Sequence, residues 1–255
     1  MNALKSLLHF VVLPVLLIAL WWFTTRDGAN FFVPQPGPLV DAFVEVWLGE
    51  GFRNDVVPSV ARLFAALAIS IALGISLGVL IGSVEWVRSL LSPMLEFVRA
   101  VPSTIIIPVL LLVIGINDTM KVTLIVLGCI WPVLLNTVKG VASIDGVQVD
   151  TGRVYGLSGL VRLRYLVLPA AAPQIFAGIR QSLAVGLVLM VTSEMFASTD
   201  GIGYATINFQ NRIAIPEMWS GIVLLGLIGV AMSVLFQIVQ SRVLGWYVGL
   251  KESAK

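Results

Sequence analysis

A chain of 255 residues that is 58% hydrophobic, has a mean hydropathy of +0.98 and carries only 12% charged residues is not built for water; soluble domains run at about 25% charged. The bilayer is its expected solvent. A net charge of +2 without a lysine-rich run gives no ground for a nucleic-acid partner. The single cysteine (Cys129) excludes an intrachain disulfide, and with one histidine (His9) no metal site can be assembled.

Crossing the hydrocarbon core takes about 20 mostly apolar residues in a helix. The first such run, 7–23, follows Lys5 and ends in Trp21-Trp22 with no small-residue cleavage site, so it reads as a retained first span with its tryptophans at the outer interface. Five more runs follow at 63–83, 102–116, 122–138, 169–197 and 219–247. Six spans put both termini on one side. Segment 24–57 holds Arg26 and Arg53 against Asp27, Asp41, Glu45, Glu50 and Asp55, which makes it external. Segment 139–168 holds Lys139, Arg153, Arg162 and Arg164, and the tail adds Lys251 and Lys255. The excess of basic residues places both in the cytoplasm. A five-span reading, with one short run re-entrant, reverses some loops and fits the charges worse.

The 63–83 run carries Gly74, Gly78 and Gly82, a four-residue repeat that lets another helix approach closely; packing within the chain is the expected use. Pro108 and Pro132 stand inside apolar runs, where they should kink or break the helix and free carbonyls that need partners in protein or a wet cavity. Neither is expected to face lipid.

Between two apolar runs, residues 150–169 read DTGRVYGLSGLVRLRYLVLP. Asp150 is a candidate N-cap for a short helix, and Gly156 is placed where a left-handed residue would end it. Ser158 can cap a second short helix carrying Val161, Arg162, Arg164 and Tyr165, and Pro169 suits the first turn of the next span. Two short helices at an angle on the cytoplasmic face are expected, the first offering Val154, Tyr155 and Leu157 as an apolar knob beside Asp150 and Arg153. By composition alone, an ordinary interfacial loop is the better explanation of the stretch.

Spacing adds to this. Asp150-Thr151-Gly152, three residues, Gly156, nine residues and Leu166-Val167-Leu168-Pro169 resembles the EAA motif of ABC importer permeases, departing from it with DTG for EAA and Leu166 for the usual isoleucine. Phe32-Val33-Pro34-Gln35-Pro36 before 40–47, Arg99-Ala100-Val101-Pro102-Ser103-Thr104, Ala177-Gly178-Ile179-Arg180, Ser193-Glu194-Met195 and Asp200-Gly201-Ile202-Gly203-Tyr204 resemble segments of the nitrate/sulfonate/taurine-type permeases. The resemblance covers residues 30–250. It implies an all-α membrane protein with six transmembrane helices in the MetI-like fold of type I importer permeases. Cytoplasmic coupling helices would lie between spans four and five. In this organisation 1–57 is the first helix plus an external amphipathic segment, 58–250 the permease core with its coupling loop at 139–169, and 251–255 a cytoplasmic tail. The resemblance also assigns Asp150, Thr151, Gly152, Arg153, Tyr155, Gly156, Leu157, Leu168 and Pro169 to contact with a separate ATPase subunit.

Ionisable groups within spans are costly and face a cavity or a partner. Glu96 and Arg99, three apart, can pair on a helix, and Arg180 with Gln181 can reach toward the cytoplasm. Glu194 lines the path or holds an outer gate; beside an anionic solute it would pair with a basic residue rather than bind substrate. Ser103, Thr104, Pro108, Asn136, Thr192 and Ser193 complete the candidate pathway or gate residues, and the segment 199–204 is a candidate docking loop.

No Gly-Lys pair occurs, so the chain has no phosphate-cradling P-loop. The expected function is therefore that of a non-enzymatic permease of an ATP-driven importer in a bacterial inner membrane, multi-pass with both termini cytoplasmic. It would bind no cofactor, ATP and Mg being held by the ATPase subunits. A second permease copy, forming a homodimer, and an extracytoplasmic substrate-binding protein are its other expected partners. The solute would be a small anion of sulfonate, taurine or nitrate type, or a vitamin precursor. The alternative is a secondary transporter or channel not coupled to ATP. Such proteins often show internal inverted repeats with interrupted helices; no such repeat is seen here, and the EAA-like loop would be unexplained. A membrane enzyme would need a constellation of acids, His or Cys, which these residues supply poorly.

Overall fold

The computed structural model describes residues 2–26, 31–196 and 198–247, with side chains from residue 12 onward. Asp27, the side chains of Lys5 and His9, and the tail with Lys251 and Lys255 lie outside them. Among the described residues the regular structure is entirely helical. In chain order the α-helices are α1 (Asn2–Thr25), α2 (Pro36–Trp47), α3 (Val57–Ser83), α4 (Glu85–Ala100), α5 (Ile107–Ile114), α6 (Asp118–Ala142), α7 (Gly146–Val154), α8 (Gly159–Arg162), α9 (Leu168–Phe196), α10 (Ile202–Asn211) and α11 (Ile215–Val243).

Four helical stretches are long and apolar enough to cross a membrane: Phe52–Ser83, Asp118–Ala142, Gly159–Phe196 and Ile215–Val243. The expected 102–116 span is not one straight helix. Glu85–Ala100 and Ser103–Ile114 meet at 76°, a broken crossing that would make a fifth. The break has a local cause, since a residue before proline is pushed out of the α region. Val101 (φ −74°, ψ 120°) and Pro102 (φ −62°, ψ 122°) are both extended. Pro108 then falls in the first turn of α5, where its missing N–H costs nothing, and it is exposed on this single chain rather than enclosed. Pro132 does not break its helix; α6 runs continuously through it. The apolar part of α1, Val12–Thr25, is short among the described residues.

Two wide π-turns, Phe52–Val56 and Leu163–Val167, have a shared cause. Each is followed by an X-Pro pair, Val57-Pro58 and Leu168-Pro169. A proline in a regular α-helix clashes with the carbonyl four residues back, and widening the preceding turn moves that carbonyl aside. The helix therefore continues through the proline, and α8 is the first turn of a 38-residue helical stretch rather than a separate short helix.

The bundle centre is α3, α6 and α9. Leu63, Ala66 and Leu67 of α3 meet Ile125 and Cys129 of α6 and Leu189 and Met190 of α9, all buried. Along the α3–α6 seam, Gly74, Gly78 and Gly82 face Val133, Thr137 and Val141, where an added Cβ would come within 2.6–2.9 Å of a side-chain carbon. The glycine repeat is used within the chain, as expected. Thr137 Oγ1 bonds its own helix at Val133 O (2.7 Å), which turns its methyl group toward Gly78. At one end, α2 and α10 cap the bundle through Trp47, Val56, Ile202 and Ala205. There the Trp47 indole donates to Ser220 Oγ at 2.8 Å. The connection 143–168 sits at the other end, because α6 leads into it and α9 leads out of it.

Candidate functional site

The 143–168 connection folds as one short helix and a tight stop. Asp145, not Asp150, caps α7: its Oδ1 accepts from Val147 N at 3.3 Å. The helix starts five residues earlier than the sequence reading had it, which leaves Asp150 mid-helix, paired with Arg153 at 3.0 Å on the exposed face. Such exposed pairs contribute little. Gly156 ends α7 in the left-handed region (φ +69°). Gly156 N bonds Arg153 O (3.0 Å) and Leu157 N bonds Gly152 O (2.9 Å), the paired bonds of a Schellman stop. Leu157 consequently folds back beside Gly152 and is half-buried, so it is not part of the knob. Val154 (86% exposed) and Tyr155 (78%) carry it, with Leu160 (82%) beyond. Ser158 stands at the N-cap of α8 but makes no side-chain cap bond.

Thr151 bonds back to Val147 O (2.7 Å), and Gly152 is buried, its Cβ position 3.0 Å from Leu166. Leu168 begins α9 beside the buried Val167–Ala171 cluster. Pro169, Thr151, Tyr155, Tyr165 and Trp246 line a groove of about 970 Å³ under α7. Of the nine predicted loop residues, Thr151, Gly152, Tyr155, Leu157 and Pro169 line this groove. Asp150, Arg153 and Gly156 are exposed outside it, and Leu168 packs at the start of α9.

At the opposite end lies a buried ion cluster. Arg62, one turn into α3 and 6% exposed, is its hub. Its Nη1 donates to Glu194 Oε1 (3.1 Å) and its Nη2 to Asp200 Oδ2 (2.5 Å). Its Nε lies 2.8 Å from Asp118 Oδ1, an ion pair without hydrogen-bond geometry. Lys121, 3% exposed, bridges Asp200 (3.1 Å) and Asp118 (3.4 Å). Glu194, fully buried, also accepts from Ser59 Oγ (2.6 Å) and Gly203 N (3.0 Å). Gly201 N donates to Asp55 Oδ1 (2.9 Å) and Ile202 N to Ser59 Oγ (3.0 Å). Side chains of α9, α3 and the turn before it thus satisfy the first amides of α10, which have no partner within that helix. The α10 terminus begins at residue 202, so the expected 199–204 loop is half helix. Gly201 (φ +111°) has no room for a side chain: a Cβ would lie 2.4 Å from Glu194 Cδ. Burial alone pushes the Asp200 carboxyl up; the hydrogen bonds from Arg62 and Lys121 outweigh it and hold the group below the usual carboxylate range.

The predicted pathway residues are not gathered in one place. Ser103 is half-buried beside Gly128, and Thr104 and Pro108 are exposed along the break before α5. Asn136 binds Pro132 O (2.8 Å) and Gln181 (3.4 Å). Thr192 and Ser193 bond back into α9 at Val188 O and Met190 O. Glu96 and Arg99 pair at 3.5 Å on the exposed face of α4, and Arg180 lies over the Phe236 ring (5.8 Å).

Residues 70–245 match the family described as the binding-protein-dependent transport system inner membrane component. The chain belongs to this family. Over 236 residues it is 30% identical to the putative aliphatic sulfonates transport permease protein SsuC of Escherichia coli (strain K12), covering 92% of this chain and 90% of that one. The taurine transport system permease protein TauC of the same strain is 27% identical over 238 residues (91% and 86%). The nitrate import permease protein NrtB of Synechocystis is 24% identical over 242 residues (91% and 87%). Among solved structures, an inward-facing conformation of the MetNI methionine ABC transporter gives a TM-score of 0.62 at 17% identity, over 75% of this chain and 95% of that chain, a likeness of fold. The protein is an ABC importer permease of the nitrate/sulfonate/taurine type.

In this permease the sequence reading found Glu194 but missed its partners. Arg62 and Lys121 each stand one residue ahead of an apolar run, at 63 and 122, and so read as ordinary flanking charges. The signal was their sign: two basic residues at span ends assigned to the external side run against the positive-inside pattern and need carboxylates to hold them.

Proposed function

We propose that this permease is the membrane-spanning subunit of an ATP-driven importer and encloses, with a second copy of itself, the path of a small solute handed over by a binding protein. In this reading α1, α3, the bent α4–α5 pair, α6, α9 and α11 are six crossings, both termini are cytoplasmic and α7 is the coupling helix. The observation that carries the reading is the α6–α9 connection. A helix of nine residues, stopped sharply at Gly156, holds Val154 and Tyr155 out into solvent at the end opposite the ion cluster. An apolar knob on a rigid stalk is suited to a socket on another chain. The chain's lack of a P-loop agrees with hydrolysis on separate ATPase subunits, which would hold ATP and Mg.

Closure of those subunits would draw the two α7 knobs together, and α6 and α9, joined to the knob's base by short connections, would carry the movement across the bilayer. The relatives' sulfonate, taurine and nitrate names support a small oxyanion as solute. Ser103 and Thr104, at the break in the α4–α5 crossing, are the hydroxyls placed to meet it. Glu194 is occupied by Arg62 and would not oppose an anion as a free carboxylate. The scarcity of intramembrane arginine favours an organic sulfonate over a bare inorganic ion. Uptake of labelled taurine and alkanesulfonates by proteoliposomes holding the permease with its ATPase and binding protein tests this. Uptake that requires ATP inside and binding protein outside supports the proposal; uptake by the permease alone, without ATP, overturns it in favour of a secondary transporter.

A further inference from the structure

Elsewhere the described bundle is held by apolar contact, close helix seams and neutral hydrogen bonds such as Ser182 Oγ to Cys129 O (2.6 Å), but its external end is fastened by charge. We propose that Arg62 and Lys121 are positioning residues of the transport cycle: they latch the α9–α10 connection onto α3 and α6, and release of Asp200 from them is the step that opens the external end of the path. This rests on the importer reading and adds a gate residue set to it.

The cluster has two layers of different character. Glu194 is fully buried and held four ways, by Arg62, Ser59 and Gly203 N with Gly201 packed against it, so this layer is permanent. Asp200 is 37% exposed and Asp118 68% exposed, while the cations they share are 6% and 3% exposed. Water therefore reaches the anions of the outer layer but not the cations behind them. A carboxylate at such a rim can be rehydrated when it leaves, so parting costs far less than separating a fully enclosed pair. The backbone agrees. Asp200 is followed by Gly201 at φ +111°, a conformation open to glycine, and this lies between the fixed Glu194 and α10. Closed, the latch joins three helices through one side chain: Asp200 touches Arg62 on α3 and Lys121 on α6 while its own chain leads into α10. Freed, the α9–α10 connection loses its ties to Arg62 and to Lys121 on α6, while the start of α10 stays held by Asp55, Ser59 and Glu194.

The test uses the assembled permease–ATPase complex in proteoliposomes, with hydrolysis measured with and without binding protein. Lys121→Met removes the Lys121 half of the outer layer and leaves Arg62–Asp200 and Arg62–Glu194 in place; Asp200→Asn weakens both halves at constant shape. Both should raise binding-protein-independent hydrolysis about fivefold or more, and Lys121→Arg should keep the wild-type rate. Thermal stability should stay near wild type in Lys121→Met, whose freed carboxylates lie at the exposed rim, and fall in Asp200→Asn, which leaves Arg62 and Lys121 buried with less countercharge. In a Cys129→Ser background, Lys121→Cys with Asp200→Cys, bridged by a reducible bifunctional thiol reagent of about the length of the lysine stem, should lose uptake on bridging and regain it on reduction. Basal hydrolysis that stays at the wild-type rate, or uptake that continues with the cross-link formed, overturns the latch. If wild-type hydrolysis does not respond to binding protein at all, the importer reading itself fails, and the latch with it.

Discussion

Gly78→Ala is the most informative single change in the bundle. The added methyl would sit 2.6 Å from Thr137 Cβ, 2.8 Å from its Cγ2 and 2.9 Å from Leu134 O. Carbon atoms rest at about 3.5–4.0 Å, so α3 and α6 must part by about 1 Å. The seam cannot pivot around the intruder, because Gly74 and Gly82 are equally tight against Val133 and Val141 one turn to either side. Overpacking of this kind costs about 1–3 kcal/mol. Cys129 supplies the assay: it is the chain's sole cysteine and is fully buried where α3, α6 and α9 meet. Thiol labelling of the detergent-purified protein then reports the population in which the seam is open. Gly78→Ala should speed labelling about 5- to 150-fold. Gly226→Ala in α11, where a Cβ meets nothing within 4 Å, should leave the rate unchanged. Equal labelling of the Gly78 variant and wild type would refute the close-seam argument.

Gly156→Val forces a β-branched residue to φ +69°; it should cost about 1–2 kcal/mol locally, lowering coupled uptake while Cys129 labelling stays at the wild-type rate. Trp47→Phe removes the 2.8 Å bond to Ser220, and limited proteolysis should find α2 released more often, for a cost of about 1 kcal/mol. Glu194→Ala leaves Arg62 buried without one of its carboxylates; removing one partner of such a pair costs about 3–5 kcal/mol, so a fall in melting temperature larger than for Glu194→Gln is expected. Asp200, whose carboxyl is held below its ordinary value of about 3.9, contributes stability that is complete above that value and lost only as pH falls through the lower folded value. The difference in melting temperature between wild type and Asp200→Asn should therefore stay constant from pH 8 to 5.

Much of this was legible because a membrane chain writes its spans as composition. The 63–83, 122–138, 169–197 and 219–247 runs all fall in helices, α3 starting six residues earlier than its run and α11 starting and ending four residues earlier. Gly156 was readable from its distance to Leu168-Pro169, and the structure gives it a left-handed φ. The cap was not, because Asp145 and Asp150 are equally good acceptors on paper and only the helix start chooses between them. The break at Val101-Pro102 escaped because α4 has no buried residue and too many charges to read as part of a span. The ion cluster escaped for a different reason: its members lie between residues 55 and 203, and no local pattern ties Arg62 to Glu194 or Asp200 before the helices are packed.

Whether α7 docks on an ATPase is decided most directly by cross-linking from the knob itself. A photoreactive amino acid in place of Tyr155, 78% exposed at the tip, would be activated in membranes of the native host. The account predicts an adduct with an ATP-binding chain, its yield changing when ATP is trapped, and no such adduct from a probe at Gly226 on α11. Adducts with lipid alone, in membranes where the ATPase is present, would contradict it.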